Sequence, residues 1–343
     1  MFRSIRWALA GLLVLATTAL SAAPRNDLDV RLSAATPVLR GDVDVLVTVT
    51  VTNTARHPVQ VLSWQLPSDE AEGVLFKISR DGEAVRYTGA LVKRAAPQAA
   101  DHVRLEPGTS LTYEVELSAT YDLSRSGRYT IEYASRGTHG TDKSALQSQP
   151  LYLWLEGRSG KTSTPAAPQP AIASTSYSRC SASQMTALPA AVAAASSYAN
   201  GAVSYLGGSP SATPRYTTWF GTFSTAGWNT AKAHFSAIKG AFDSQALVLD
   251  CGCKKKTTYA YVYSNQPYKI YLCGAFWTAQ VTGTDSRAGT LIHEMSHFDV
   301  VAGTNDWAYG QTAAKSLALS DPTKALDNAD SHEYFAENTP SQP

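Results

Sequence analysis

Apolar and polar residues alternate along the first half of the chain. Residues 43–51 place β-branched residues at the two-residue period of a strand, and residues 111–117 and 128–133 repeat this pattern. Turn-forming pairs separate such segments: Asp81-Gly82, Pro107-Gly108 and Ser126-Gly127. Several short strands joined by regular turns predict that residues 24–156 form an all-β, immunoglobulin-like sandwich.

The second half, residues 178–343, has a different pattern. Five segments have the pattern of helices, and two shorter segments have the strand period. The predicted helices are 187–205, 230–242, 288–301, 311–319 and 328–337, and the predicted strands are 257–263 and 269–272. Because the helices and strands do not alternate regularly, we expect an α+β domain.

Residues 157–177, between the two halves, consist mainly of Gly, Ser, Thr, Pro and Ala. This composition is typical of a linker that does not pack. A linker of this kind in an exported protein is also accessible to proteases. We therefore expect a processing site within this segment.

The chain begins with the features of an export signal. Arg3 and Arg6 flank the start of an apolar run over residues 7–20, and small residues follow at Ser21-Ala22-Ala23. The apolar run is short for a bilayer span, although an uncleaved membrane anchor is the alternative. Residues 1–23 are predicted to be a signal peptide, so we expect a secreted protein without a membrane segment after signal removal.

The composition excludes one class of partner. Lys and Arg number 29 against 28 Asp and Glu, which gives a formal net charge of +1. An electrostatic nucleic-acid binder needs a strong basic excess, so no nucleic-acid partner is expected. With 343 residues, 44% of them hydrophobic, the chain is long enough for two folded domains. A monomer is the default expectation.

All four cysteines lie in the second half, at positions Cys180, Cys251, Cys253 and Cys273. An even number of cysteines in an exported chain favours two disulfides over a zinc site, which would call for a C-x-x-C spacing. A bond between Cys251 and Cys253 would close a very tight ring. Each of these two cysteines is therefore expected to pair with Cys180 or Cys273, and the spacing leaves both such pairings open.

The strongest chemical signal is His293-Glu294-Met295-Ser296-His297, within a predicted helix. Histidines four residues apart project from the same helical face, so both imidazoles can bind one zinc ion. Glu294 is then placed to take a proton from the attacking water, with zinc as the Lewis acid. The alternative is a chance occurrence of this pattern on an ordinary helix.

A catalytic zinc site needs a third protein ligand and an open position. The H-x-x-G-x-x-H continuation of the metzincins is absent. The residue pattern alone leaves three downstream candidates for the third ligand: Asp306, His332 and Glu333.

The segment Gly303-Thr304-Asn305-Asp306-Trp307-Ala308-Tyr309-Gly310 places its aspartate nine residues after His297. It resembles the G-T-x-D-x-x-Y-G signature of the aspzincins, the deuterolysin and peptidyl-Lys metalloendopeptidase family. The resemblance covers residues 178–343 and implies a zincin-like catalytic domain with one Zn²⁺ per chain. It further implies the following roles: His293, His297 and Asp306 as zinc ligands, Glu294 as general base, and Tyr309 as donor to the developing oxyanion.

The resemblance also selects one of the two open cysteine pairings, namely Cys180–Cys251 with Cys253–Cys273. On this interpretation, the fungal members of the family lack the long β-rich N-terminal half of this chain.

A second acidic motif, Asp330-x-x-Glu333, lies in the last predicted helix. Acids three residues apart share a helical face, and alone they are explained as a cap and a favourable charge in the first turn. By position, however, they match the acidic pair that accepts lysine in the peptidyl-Lys branch of the aspzincins. The resemblance therefore implies substrate binding by Asp330 and Glu333, with cleavage on the amino side of lysine.

These features predict a secreted zinc endopeptidase that acts on proteins and peptides, with the N-terminal half as a pro-domain that inhibits it in cis. The pro-domain has no cysteine, so inhibition needs steric cover, another ligand, or a side chain in the acidic pocket, for which Lys93 is a candidate. Lys161 in the linker is a candidate self-cleavage point, at Gly160–Lys161.

Two other functions stay open. One is a non-catalytic adhesion or binding protein with a structural zinc ion, and the other is a different zinc hydrolase such as a cell-wall amidase. Glu294 argues against the first because a structural site needs no base. The acidic pair Asp330 and Glu333 argues against the second.

Overall fold

The computed structural model describes residues 27–68, 73–135, 146–159 and 174–343. The predicted signal peptide lies outside these residues, as do residues 160–173 of the predicted linker. None of the helices in the described part of the chain is both long and apolar enough to cross a membrane.

The described residues before the linker form eleven strands. They are β1 Leu28–Ser33, β2 Val38–Arg40, β3 Leu46–Asn53, β4 Val59–Leu62, β5 Phe76–Arg80, β6 Glu83–Ala84, β7 Ala90–Arg94, β8 His102–Leu105, β9 Ser110–Glu116, β10 Gly127–Tyr133 and β11 Leu151–Glu156. The three strands predicted at 43–51, 111–117 and 128–133 correspond to β3, β9 and β10.

Most of these strands form two sheets around one hydrophobic core. Strands β1, β3 and β9 form an antiparallel sheet, and the second sheet has the order β2-β11-β10-β5-β6. Along β3, Val47, Val49 and Val51 are buried while the threonines between them are partly exposed, because successive side chains point to opposite faces. The two facing sheets agree with a sandwich, and the immunoglobulin-like topology stays a prediction.

The described residues after the linker contain both helices and strands, so the predicted mixed architecture is confirmed. The strands are β12 Ser174–Ser178, β13 Ala246–Asp250, β14 Thr258–Tyr263 and β15 Lys269–Leu272. The helices are α1 Ala182–Leu206, α2 Pro214–Phe220, α3 Thr225–Ser244, α4 Gly274–Thr278, α5 Arg287–His297, α6 Gln311–Ser320, α7 Pro322–Leu326 and α8 Ala329–Glu337. Helix α5 packs against α1, α8 and β14.

The sheet of this second half includes a strand from the first half. Its order is β12-β13-β15-β14-β7, and β7 lies antiparallel to β14. Leu91 of β7 belongs to the hydrophobic core of the second half rather than to that of the first. The N-terminal and C-terminal halves are therefore not separate in space. Strand β7 of the N-terminal half is the edge strand of the sheet in the C-terminal half.

Residues at both ends of the predicted linker, 157–177, make structural contacts. Residues 174–177 lie in β12, which pairs in parallel with β13. On the other side, Arg158 donates to the carbonyl oxygen of Val43 at 2.6 Å. Strand β12 escaped prediction because it is polar: an edge strand can pair through its backbone alone and needs few apolar side chains.

Helix α5 ends earlier than predicted, at His297 instead of residue 301. Phe298 has an extended backbone, and Gly303 has a φ of 62°, in the left-handed region that favours glycine. The chain therefore turns back directly after the second histidine. This turn carries the aspartate motif toward the histidines.

Two disulfides are present, Cys180–Cys251 and Cys253–Cys273. This is the pairing that the resemblance to the aspzincins implies. The first bond joins Cys180, two residues before α1, to Cys251, directly after β13. The second joins Cys253, in the loop after β13, to Cys273 at the start of α4. Both therefore brace the sheet that supports α5.

Candidate metal centre and acidic pocket

Helix α5 holds the two histidines of the motif in a buried position. Ser286 caps the helix by accepting a hydrogen bond from the backbone N–H of Gly289 at 2.9 Å. A Cβ on Gly289 would lie 2.0 Å from a carboxylate oxygen of Glu337, so a side chain at this position would displace the Glu337 carboxylate. His293 and His297, on one face of this helix, are both fully buried.

Three ligand atoms converge at the end of this helix. The Nε2 atoms of His293 and His297 are 3.1 Å apart, and Oδ1 of Asp306 lies 3.1 Å and 3.3 Å from them. Tetrahedral ligands bound at about 2.0–2.1 Å are separated by about 3.3–3.4 Å. Two imidazole nitrogens and one carboxylate oxygen at these separations fit a zinc ion with an open fourth position.

The second nitrogen of each imidazole lies close to an oxygen atom on the side away from this centre. Nδ1 of His293 lies 2.8 Å from Oδ1 of Asp330, and Nδ1 of His297 lies 2.8 Å from the carbonyl oxygen of Thr304. Acceptors at Nδ1 select the tautomer that leaves the lone pair on Nε2. Both rings are thus prepared to bind a metal through Nε2.

Asn328 positions the segment that carries Asp306. Its side-chain oxygen accepts hydrogen bonds from the backbone N–H groups of Trp307 and Ala308, at 2.9 Å and 3.0 Å. Asn328 is fully buried and immediately precedes α8. No sequence signal marks this role, since an asparagine before a helix is usually an ordinary cap.

Glu294 lies within the same buried helix but has a different environment. Neither of its carboxylate oxygens has a hydrogen-bond partner among the described residues. Burial raises the pKa of Glu294 to about 7, even though the two neighbouring imidazoles work in the opposite direction. A buried carboxylate with this pKa can accept and release a proton near neutral pH.

Tyr309 follows Asp306 by three residues and contacts the N-terminal half. Its hydroxyl oxygen accepts a hydrogen bond from Nη1 of Arg94, in β7, at 3.4 Å. Burial and the nearby charge of Asp306 raise the pKa of Tyr309 well above its ordinary value. The phenol is therefore neutral, with its proton available to a hydrogen-bond acceptor.

Asp330 and Glu333, both fully buried, form the wall of an acidic pocket beside the metal centre. The pocket is filled by the side chain of Lys93, also from β7 and also fully buried. The ammonium nitrogen lies 2.5 Å from Glu333 and 3.5 Å from Asp330. Burial works against this charge, but the surrounding carboxylates outweigh it and hold the pKa of Lys93 well above its ordinary value.

A third carboxylate, that of Asp285, lies in this pocket and was not predicted from the sequence. Oδ1 of Asp285 lies 3.4 Å from the Lys93 ammonium nitrogen, and the rings of Tyr259 and Tyr334 face that nitrogen with centroids at 5.1 Å and 5.7 Å. Asp285 lies 45 residues before Asp330 in the sequence, and no motif spacing connects them. Only the packing of α5 on α8 brings them together.

The other two candidates for the third ligand are engaged elsewhere. Nδ1 of His332 lies 2.9 Å from the carbonyl oxygen of Asn328, and its Nε2 lies 2.9 Å from Nδ1 of His234. Glu333 and Asp330 form a second group of close ligand atoms with His293, but they meet its Nδ1, and the lysine ammonium occupies that space. Asp306 is the candidate whose oxygen meets both Nε2 atoms.

Comparison with known proteins agrees with this geometry. Residues 205–337 match the family described as lysine-specific metallo-endopeptidase, the aspzincins. An extracellular protease of Aeromonas hydrophila is 50% identical over 311 residues, which cover 87% of this chain and 89% of that protein. The chain belongs to the aspzincin family. It is accordingly a metalloendopeptidase.

Two fungal proteins extend the comparison of this aspzincin. A peptidyl-Lys metalloendopeptidase of Grifola frondosa is 38% identical over 363 residues, covering 100% of both chains. A solved zinc peptidase from Grifola frondosa is 53% identical and covers 48% of this chain and 100% of its own, with a TM-score of 0.46. The expectation that fungal members lack the N-terminal half is wrong, because the alignment with the first protein runs through it.

Proposed function

We propose that this aspzincin is a secreted zinc endopeptidase that cleaves proteins on the amino side of lysine and is made as a latent precursor. One observation carries the proposal: a lysine side chain fills the acidic pocket while its strand runs past the three ligand atoms. Lys93 is buried against Glu333, and the backbone N–H of the preceding Val92 donates to Oδ2 of Asp306 at 3.1 Å.

The metal centre is assigned to His293, His297 and Asp306, which would hold one zinc ion per chain. When bound, zinc supplies Lewis-acid polarisation of the substrate carbonyl and increases the acidity of the attacking water. Oδ1 of Asp306 is the atom that meets the histidines, which leaves its Oδ2 for a backbone N–H. The Asp306 carboxylate can therefore bind the metal ion through Oδ1 and accept a backbone hydrogen bond of the bound chain through Oδ2.

Glu294 is assigned as the general base. Its carboxylate takes the proton of the water that attacks the carbonyl carbon, and it returns a proton to the departing amine. Tyr309 is assigned as the donor to the oxygen on which negative charge develops. A neutral phenol that reaches this oxygen stabilises the transition state more than the ground state.

Strand β7 supports a specific path for the substrate. In an extended strand, the N–H and C=O of one residue point to the same side. Since the N–H of Val92 points to Asp306, its carbonyl oxygen is directed toward the same side, where the three ligand atoms lie. A substrate that adds to β14 as β7 does would present the bond before its lysine to the metal centre.

The acidic pocket accounts for the choice of lysine. A desolvated ammonium ion is stable only when it is paired with opposite charge, and the pocket offers Asp330 and Glu333. Arginine carries the same charge but is longer and planar, so we propose that it fits less well.

Latency follows if the N-terminal half inhibits the monomeric precursor in cis. Its strand β7 covers the metal centre, fills the acidic pocket with Lys93, and engages Tyr309 through Arg94. Arg86 adds an ion pair with Asp299, just after α5. Arg94 also lies over the ring of Trp64, 5.6 Å from its centroid, so the inhibitory strand is held by its own half as well.

Secretion is supported by the signal-like N-terminus and by the relative named an extracellular protease. We propose that cleavage within residues 157–177, with Gly160–Lys161 as one candidate bond, separates the inhibitory half from the enzyme. A binding protein with a structural zinc would leave unexplained the buried carboxylate of Glu294, which has no hydrogen-bond partner in the part of the chain that the structure describes. A cell-wall amidase would leave the lysine-filled pocket unexplained.

The test is proteolysis of a denatured protein by the secreted enzyme, before and after removal of metal with a chelator. We expect that the chelator abolishes cleavage and that stoichiometric zinc restores it. Magnesium serves as the control, since it prefers six oxygen ligands. Proteolysis that continues in the metal-free protein would refute the proposal.

A further inference from the structure

Three consecutive lysines, Lys254-Lys255-Lys256, lie just before β14, the strand along which we expect the substrate to bind. We propose that they form a further subsite, which favours substrates with an acidic residue on the carboxyl side of the cleaved bond, chiefly at the third residue after the substrate lysine. This inference rests on the proposed function, because it takes β7 as the guide to the path of the substrate.

The pairing of β7 with β14 gives the direction of this path. The two strands are antiparallel, and Arg94, the residue after Lys93, lies opposite Thr258. An extended peptide that continues past this point in the same register has its next two residues opposite Thr257 and Lys256. The residue opposite Lys256 is the third after the lysine. The carboxyl side of a bound substrate is therefore directed toward the basic run.

The chain of the protein leaves room at this point. Strand β7 ends at Arg94, and a cavity of about 430 Å³ lies there between the two halves. Lys255 and Lys256 line this cavity from the second half, and Asp101 lines it from the first. The inhibitory half thus brings a carboxylate to the same cavity as the basic run, as the proposed substrate would.

The backbone of the basic run is held in place. The preceding residue, Cys253, is bonded to Cys273. The backbone N–H of Gly274 donates to the carbonyl oxygen of Lys255 at 2.8 Å. A Cβ on Gly274 would lie 2.7 Å from Cα of Lys256, so the loop packs directly against the start of α4. The lysine charges are therefore presented from a fixed position beside β14.

The charge of the run is local and exposed. The whole chain has a formal net charge of only +1, so three adjacent lysines concentrate positive charge at one place. Lys254 and Lys256 are exposed. An exposed pair of opposite charges increases affinity by about fivefold at most, and salt screens it. The basic run can therefore rank substrates that all carry a lysine, whereas it does not replace the acidic pocket.

The test measures kcat/KM of the secreted enzyme on peptides that contain one lysine. Each peptide is made with glutamate and with glutamine at one position, which is moved from the amino side of the cut to the fourth residue after the lysine. At low salt we expect glutamate at the third residue after the lysine to raise kcat/KM about threefold over glutamine. In about 0.5 M NaCl the two peptides should be cleaved at similar rates, because the charges are screened.

A chain with both Lys255→Gln and Lys256→Gln should lose this preference, so that the ratio of the two kcat/KM values falls to about one. Lys232→Gln, at an exposed position of α3, is the matched control and should keep the ratio of the unmodified enzyme. The inference is overturned if the unmodified enzyme cleaves both peptides equally at low salt, or if the double variant keeps the preference. A larger gain from glutamate on the amino side of the cut overturns it as well.

Failure of the proposed function has a different signature. In that case none of the peptides is cut before its lysine, whatever residue follows. Cleavage before lysine with no effect of glutamate at any position overturns the basic subsite alone.

Discussion

Residues of one type have different tasks in this protein because their surroundings differ. His293, His297 and His332 are all fully buried. The first two present Nε2 to a shared point, whereas both nitrogens of His332 are engaged by Asn328 and His234. The spacing of His293 and His297 could be read from the sequence because a helix fixes it. The roles of Asp285 and Asn328 could not be read from the sequence, because tertiary packing alone brings these residues to the site.

The first prediction at this scale concerns Glu294. Glu294→Gln removes the proton acceptor and keeps the shape of the side chain, so we expect proteolysis to fall by about 10³-fold or more. Zinc content should be unchanged because Glu294 is not among the converging ligand atoms. Metal analysis beside an activity assay checks both points, with Glu132→Gln on the surface of β10 as control. Joint loss of zinc and activity would mean that Glu294 has another role.

The second prediction at the scale of residues concerns the protonation of His332. Burial, with a smaller effect from His234, lowers its pKa to about 3. In the unfolded chain, histidine takes up a proton near pH 6.5. Between these values the unfolded state binds more protons, so this histidine's contribution to stability is lost as the pH falls below about 6.5, by roughly 1 kcal/mol per pH unit.

Urea unfolding at pH 7 and pH 5 provides the measurement. We expect the unmodified protein to lose more stability between these values than His332→Gln, by about 1–2 kcal/mol. The other titratable residues are the same in both proteins, so the difference between them reports His332. His57→Gln, at an exposed site, should behave like the unmodified protein. Equal losses in all three would refute the prediction.

At the scale of elements, periodicity predicted the five longest helices and five of the fifteen strands in the described part of the chain, but not which strands pair with each other. The strand period of residues 43–51 or 257–263 predicts a strand in any sheet that buries one face. Strand β7, in contrast, is buried at all five positions and pairs with β14 of the other half. Its short, mixed sequence carries no information about which sheet it joins. The end of α5 was misplaced because apolar residues continue past His297 into a turn.

The prediction for β7 is that Lys93→Met weakens latency. The substitution removes the ammonium group from the acidic pocket, and breaking a buried ion pair typically costs about 3–5 kcal/mol. We expect the purified full-length chain to cleave a short lysine peptide at least about tenfold faster than the unmodified precursor. Lys77→Met, at a lysine paired with Glu132 on the surface, is the control. If both variants remain as inactive as the unmodified precursor, Lys93 does not maintain latency.

At the scale of the whole molecule, the two halves are joined through the site itself. The composition of the sequence distinguished the halves and the seam between them, because linkers, strands and helices differ in composition. It could not show that the first half completes the sheet of the second, which is a contact between segments remote in the chain. The chain therefore has its own strand, β7, at the place where we propose that a substrate strand binds.

The prediction for processing follows from this arrangement. If the enzyme cuts its own linker, Glu294→Gln produced in the same host should accumulate at full length. Lys161→Gln should delay the cut without changing activity on peptides once the halves are separated. Mass measurement of the secreted products distinguishes the cases. Normal trimming of Glu294→Gln would assign the cut to another protease, and a full-length protein with full activity would refute the role of the N-terminal half.

Specificity for lysine is the central claim, and a cleavage map tests it most directly. A denatured protein of known sequence is digested with the secreted enzyme, and the ends of the peptides are identified by mass spectrometry. Most new N-termini are predicted to be lysine, with few at arginine, and this preference should weaken when Glu333 is replaced by glutamine. New N-termini distributed over all residue types, without enrichment of lysine, would contradict the claim that the pocket occupied by Lys93 selects the substrate.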